Sequence, residues 1–319
     1  MMTNEDLVRD LRLSDGAARR PYLAGISCTR LASFAFTALA LGTVGALTLI
    51  FILQSLPVWQ DEGIGYLTGG KWFYRVQTFG ALPMIYGTLT VALIALLLAA
   101  PIGIGAAIFT SEFLPARVRL AVKITIELLA GVPSVVYGLI GILLLRDWIY
   151  ELFARFDLLS GDTLLTAGVL LGVMILPTVM TLADDALRSV PAEQRRAARG
   201  LGLTATETVL AVTIPQAGRG LIAALLLGLG RALGETIAVF LVVGRQDNNL
   251  PANIFSPRAW LESGQTLSSK LGGSETNIAY GDPLHWAAMV GLALILMTMV
   301  LAATIGGAWQ RKTKYAPSI

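Results

Sequence analysis

Charge-free apolar intervals dominate this chain. They run 31–60, 76–111, 128–145, 163–183 and 283–310, and a sixth apolar region, 220–244, is broken only by Arg231 and Glu235. A hydrocarbon core of about 30 Å takes roughly 20 residues in helix, and each interval supplies about that many. The 76–111 interval is too long for one span; Pro83 and Gly87 put its start at the interface and the span nearer 85–109. Backbone polar groups in lipid find no water, which forces these segments to be helical. The pattern therefore predicts an all-α integral membrane protein with six transmembrane helices.

Lys and Arg in the flanking segments orient the spans. One side holds Arg9, Arg12, Arg19, Arg20 and Arg30, then Arg117, Arg119 and Lys123, then Arg188, Arg195, Arg196, Arg199 and Arg219, and finally Arg311, Lys312 and Lys314. The other holds Lys71, Arg75, Arg146, Arg155, Arg245, Arg258 and Lys270. Sixteen against seven predicts that both termini are cytoplasmic. The organisation expected is a cytoplasmic tail over 1–30, a first span and outer loop over 31–80, a core over 81–310 with a cytoplasmic loop at 184–215, and a short tail over 311–319.

Composition narrows the function classes. With 55% hydrophobic and 14% charged residues, the chain lies outside the range of soluble domains. The net charge of +3 is spread between apolar runs and forms no basic stripe, which argues against nucleic acid. Cys28 and His285 are the only residues of their kinds, so neither an internal disulfide nor a His/Cys metal cluster is available, and no cofactor is expected. Acidic residues interrupt the basic N-terminus, and no clear cleavage site follows, so the first apolar stretch reads as a retained span. No P-loop occurs; Gly69-Gly70-Lys71 runs into Trp72. If ATP drives the process, another subunit binds it.

Two features carry candidate chemistry. In the loop 184–215, Pro191 and Glu193 suit a helix start and the residues to Arg199 favour helix. Gly200 and Gly202 can end it, and Thr204 with Glu207 forms a capping-box pattern opening a second short helix. The second feature is Arg231 with Glu235 inside the fifth span. A spacing of four predicts one helical face and a mutual pair. An intramembrane arginine costs about 2.5–3.5 kcal/mol even on a lenient scale. Two readings fit: a salt bridge between helices, or a planar donor fork offered to a passing oxyanion, with Glu235 holding the arginine and competing with the anion. Gly230 and Gly234 read as a small-residue face for close helix packing. The aromatics Trp59, Trp72, Phe73, Tyr74, Trp148, Tyr150 and Trp286 read as an interfacial belt, and His285 as an interfacial residue without a special duty.

Ala197-Ala198, Gly202, Val212 and Ile214-Pro215 resemble the Glu-Ala-Ala signature of ABC importer permeases, with Arg196 in the glutamate position. Gly228–Val239, Ile85–Leu89, Ile126–Ala130 and Pro133–Gly138 further resemble phosphate-specific permeases of the PstC type. The resemblance implies a type-I ABC importer permease of MetI-like fold. It would move inorganic phosphate by alternating access, be non-enzymatic itself, and lie in the bacterial inner membrane. It implies coupling to an ATPase through Arg196, Ala197, Ala198, Gly202 and Pro215, and substrate passage past Arg231 and Glu235. The implied partners are a homologous PstA-like permease, two PstB-like ATPase subunits, a periplasmic PstS-like phosphate-binding protein, and membrane lipid. The same architecture moving molybdate or sulfate, or an ATP-independent channel or carrier, are the alternatives.

Overall fold

A computed structural model describes residues 4–312 except 157, 252 and 255, with side chains over 29–310 apart from those three and Pro257. Residues 313–319 of the tail expected over 311–319, with Lys314, lie outside the described residues, as do residues 1–3 and the side chains of 1–28. The chain divides after Leu53 into two units.

The first unit is one helical rod. It belongs to helix α1, Asn4–Asp61, so residues expected as a tail are continuous with the span. Leu31, Phe34, Phe36, Leu39 and Leu41 are each about two-thirds exposed or more within it. Thr37, Thr43 and Thr48 donate their hydroxyls to carbonyls four residues back at 2.8 Å, so these three polar groups are satisfied within the helix.

The second unit starts at Gln54 and, besides the end of α1 and a single helical turn at Gly65–Thr68, holds the remaining α-helices. They are α2 Leu82–Phe113, α3 Ala116–Ala130, α4 Ser134–Leu152, α5 Leu164–Arg188, α6 Ala192–Gly200, α7 Ala205–Gly234, α8 Ile237–Val242, α9 Leu267–Leu271, α10 Glu275–Ala279 and α11 Pro283–Lys312. A two-stranded antiparallel ribbon, β1 Trp72–Phe73 and β2 Thr78–Phe79, pairs Trp72 with Phe79. Among the described residues, five helices are long and apolar enough to cross a membrane, and a sixth crossing needs α3 and α4 together. Those two meet at an 86° bend over 131–133, inside the interval 128–145 that the sequence predicted as one span. Pro133 lacks an N–H and biases the residue before it away from helix, so the break falls there.

The buried centre is α5, which packs against α2, α7, α3 and α8. Small residues let the backbones approach, as in membrane bundles generally. A methyl on Gly168 would sit 2.6 Å from Ile94, one on Gly172 2.8 Å from Leu98, and one on Gly103 3.0 Å from Val179. Three π-helical turns interrupt the long helices: Phe109–Phe113 closing α2, Gly141–Leu145 within α4 and Val209–Thr213 within α7. The last has a visible cause. Pro215 has no N–H to offer Ala211, and its ring presses on that carbonyl, so the turn widens ahead of it.

Candidate functional site

The fifth span is not one helix. α7 ends at Gly234, and Glu235 is extended (φ −74°, ψ 125°) before α8 begins. Arg231 and Glu235 therefore do not share a helical face, and no ion pair joins them; the expected mutual pair is corrected here. Glu235 instead accepts a hydrogen bond from the Ala238 N–H at 3.3 Å and caps the start of α8. Arg231 is exposed, and its Nη1 donates to the Thr178 hydroxyl at 2.8 Å. Thr178 lies near the middle of α5, directly after Pro177. The guanidinium is thus held near the middle of α5 by a neutral oxygen, its one hydrogen-bond partner among the described residues, and is exposed on its other side.

The two interrupted spans meet at this level. α8 packs against α4 just beyond both breaks, and Gly138 makes the approach possible: a methyl there would lie 2.5 Å from Leu241 Cδ1 and 3.2 Å from Ala238 Cα. Tyr137 donates its hydroxyl across the first break to the Leu129 carbonyl at 3.0 Å. Unwound backbone at membrane depth is tolerated where it is buried in protein or lines a water-filled cavity. The glycine reading needs amendment as well. A methyl on Gly230 would sit 3.0 Å from Thr304 of α11, but Gly234 faces open space, and the close approaches to α5 come from Gly228, against Val179, and Gly220, against Ala186.

The loop at 184–215 folds much as its sequence dictates. α6 occupies Ala192–Gly200, Gly202 takes the left-handed conformation at φ +93°, and Thr204 and Glu207 form a complete capping box. Of the Glu-Ala-Ala positions, Arg196, Ala197 and Gly202 are exposed and Ala198 is buried. Pro215 is exposed on α7, one residue past the π-helical turn. Leu201, 84% exposed at the tip of the turn, offers an apolar knob to whatever covers it.

At the opposite end of the second unit lies a cluster that sequence reasoning missed. Lys270 of α9, 2% exposed, pairs with Asp247 at 2.7 Å and with Glu275 of α10. Glu275 also accepts from Trp72 Nε1 at 2.5 Å and from His285 Nε2 at 2.9 Å. The His285 ring stacks between Tyr74 and Phe79, each centroid 5.5 Å away. Trp72 and His285 are therefore buried structural residues, not members of a lipid-facing belt. Burial raises the Glu275 carboxyl, but hydrogen bonds and charge from Lys270, with help from Trp72 and His285, outweigh it and hold the group below the usual glutamate range. The cluster ties the ribbon, the segment after α8 and the start of α11 into one body.

Comparisons with known proteins agree with this architecture. A family model described as "Binding-protein-dependent transport system inner membrane component" matches residues 99–312. The chain is 37% identical over 254 residues to the phosphate transport system permease protein PstC 1 of Mycobacterium tuberculosis, covering 75% of this chain and 74% of that one. It is 33% identical over 277 residues to the phosphate transport system permease protein PstC of Mesorhizobium japonicum, covering 82% of each. In fold it is similar to a chain of the inward-facing MetNI methionine ABC transporter, at 17% identity and a TM-score of 0.50, covering 70% of this chain and 93% of that chain. The matched region takes in α3 to α8, both broken spans and α6 with its glycine turn. A multi-pass inner-membrane bundle with this loop is the architecture of an ABC importer permease, whose family implies ATPase and binding-protein partners. The chain belongs to the binding-protein-dependent transport system inner membrane components, among the permeases of the PstC type.

Proposed function

We propose that this chain is the permease subunit of an ATP-driven importer that passes inorganic phosphate across the cytoplasmic membrane. The observation that carries the reading is the exposed Arg231 guanidinium, held near the middle of α5 by Thr178 where two spans are interrupted. Guanidinium binds phosphate through paired, charge-assisted hydrogen bonds, and its planar fork favours a tetrahedral oxyanion. A neutral hydroxyl behind the cation orients it without cancelling its charge, which leaves the anion as the preferred partner. Among the described residues no carboxylate pairs with Arg231, which also supports uptake of a dianion, because a paired arginine would offer little net field.

In this reading α6 is cytoplasmic, as are both termini. Arg196, Ala197, Ala198, Gly202 and Pro215 shape the surface that meets a PstB-like ATPase, with Leu201 as its apolar contact. ATP hydrolysis belongs to that separate subunit. The complex would hold a second, PstA-like permease, two ATPase subunits and a periplasmic PstS-like phosphate-binding protein. Glu235 enters as a backbone cap that fixes where α7 ends, and so where Arg231 points.

The test is ATP hydrolysis and uptake by the assembled complex in liposomes, with phosphate, sulfate and molybdate offered in turn. Phosphate alone should stimulate both, and Arg231→Ala should abolish uptake while the subunits still copurify. Stimulation by sulfate or molybdate instead would assign another oxyanion. Uptake that persists without any ATPase subunit would make the chain a channel or carrier.

A further inference from the structure

α6 is poorly anchored by packing. Among its residues only Ala198 is buried, and the helix touches mainly the segment that follows it. One polar residue supplies the connection that apolar contact does not. Arg195 places Nη1 2.6 Å from a Glu112 carboxylate oxygen, and its Nη2 donates to the Leu187 carbonyl at 2.5 Å. The side chains are 19% and 5% exposed, so this ion pair is largely desolvated. Glu112 sits in the π-helical turn that closes α2, and Leu187 in the last turn of α5, fully buried. A single guanidinium therefore grips the ends of the two helices that form the centre of the bundle.

We propose that Arg195 is a positioning residue that transmits displacement of α6 to α2 and α5 through Glu112 and the Leu187 carbonyl. A helix is stiff along its axis, and Leu187 and Thr178 lie on the same one, nine residues or about 13 Å apart. Movement of α6 that pulls on Leu187 therefore shifts Thr178, and with it the hydroxyl that orients Arg231. Glu112 fixes the direction of the pull, because a bridge to α5 alone would let α6 swing about one contact. A desolvated charge pair suits this use: separating it leaves a buried charge unpaired, so the linkage resists parting and its two ends move together. The proposal rests on the reading of α6 as the surface that meets the ATPase.

The experiment measures phosphate taken up per ATP hydrolysed, using the full complex in liposomes, for the parent, Arg195→Ala, Glu112→Gln and the double variant. ATPase copurification is scored on the same preparations. Each single variant should lower phosphate moved per ATP by about tenfold, within the usual range of coupling between sites, with the ATPase still bound. The double variant should be no worse than either single one, because both remove the same linkage. An unchanged ratio in Glu112→Gln, which keeps size and most packing, overturns the proposal. So do losses that multiply in the double variant, or a loss explained entirely by the ATPase falling away. If the parent chain itself binds no ATPase, the assignment of α6 fails before the linkage is tested.

Discussion

Replacing Glu275 by alanine should release the end of the bundle opposite α6. The substitution leaves Lys270, 2% exposed, with Asp247 as its only carboxylate partner, and removes the acceptor from both Trp72 Nε1 and His285 Nε2. Breaking a buried pair costs about 3–5 kcal/mol when the remaining charge is left alone, and because Asp247 still pairs with Lys270 the cost lies at the low end of that range. The orphaned donors fall within that figure when water reaches them and add to it when it does not. At about 1.4 kcal/mol per tenfold, opening of residues 245–283 should become between a hundredfold and a few thousandfold more frequent. Hydrogen exchange of peptides from that segment, in detergent-solubilised protein, reads the change directly. Lys270→Met combined with Glu275→Leu should recover the part of the protection lost to the buried charge, since an apolar pair replaces a buried ionic one at little cost, but not the part owed to the Trp72 and His285 donors. Exchange in Glu275→Ala within about threefold of the parent would refute the reasoning, since the cluster would then hold nothing together.

Acid should act on the same residue: the carboxylate lies below its ordinary value of 4.5, so its stabilisation is complete above that pH and is lost as pH falls through the lower folded value. Exchange of 245–283 should be flat from pH 7 to 5, apart from intrinsic chemistry, rise only in stronger acid, and lose that rise in Glu275→Gln. Gly138→Ala should destabilise by about 1–3 kcal/mol, because its methyl meets Leu241 at 2.5 Å. Gly105→Ala in α2, with nothing within 4 Å, should be neutral or stabilising in the same thermal melt. Thr178→Val removes the one hydrogen bond that orients Arg231 and should weaken half-saturation by phosphate about fivefold, read in uptake kinetics. Leu201→Asp should prevent copurification of the ATPase; normal recovery would reject that tip as a contact.

What could be read in advance was local. Gly202, Thr204 and Glu207 act within a few residues of one another, so the glycine turn and its capping box were legible from spacing alone. The apolar intervals likewise located the spans, because lipid leaves little choice but helix. Where those helices bend was another matter. A charge-free interval carries no mark of direction, and although Pro133 stood in the sequence, nothing in the apolar count converted it into an 86° turn. The Arg231–Glu235 spacing misled for a related reason: four residues mean a shared face only if the helix continues, and it stops at Gly234. The cluster around Lys270 was out of reach, since Trp72 and Glu275 lie 203 positions apart and meet only after folding. His285 alone gave no sign of them.

The widened turn at Val209–Thr213 bears on aim. Each residue of a regular α-helix advances the side-chain direction by about 100° and the axis by 1.5 Å. Because that turn holds one residue more than an α-helical turn would, everything beyond it is offset by about that angle from a regular continuation. Deleting one residue there would leave the composition of the span almost untouched. It would close the turn to α geometry and keep Arg231 on Thr178, whereas deleting a residue of the regular helix beyond the turn would swing the guanidinium by about 100° toward a different neighbour.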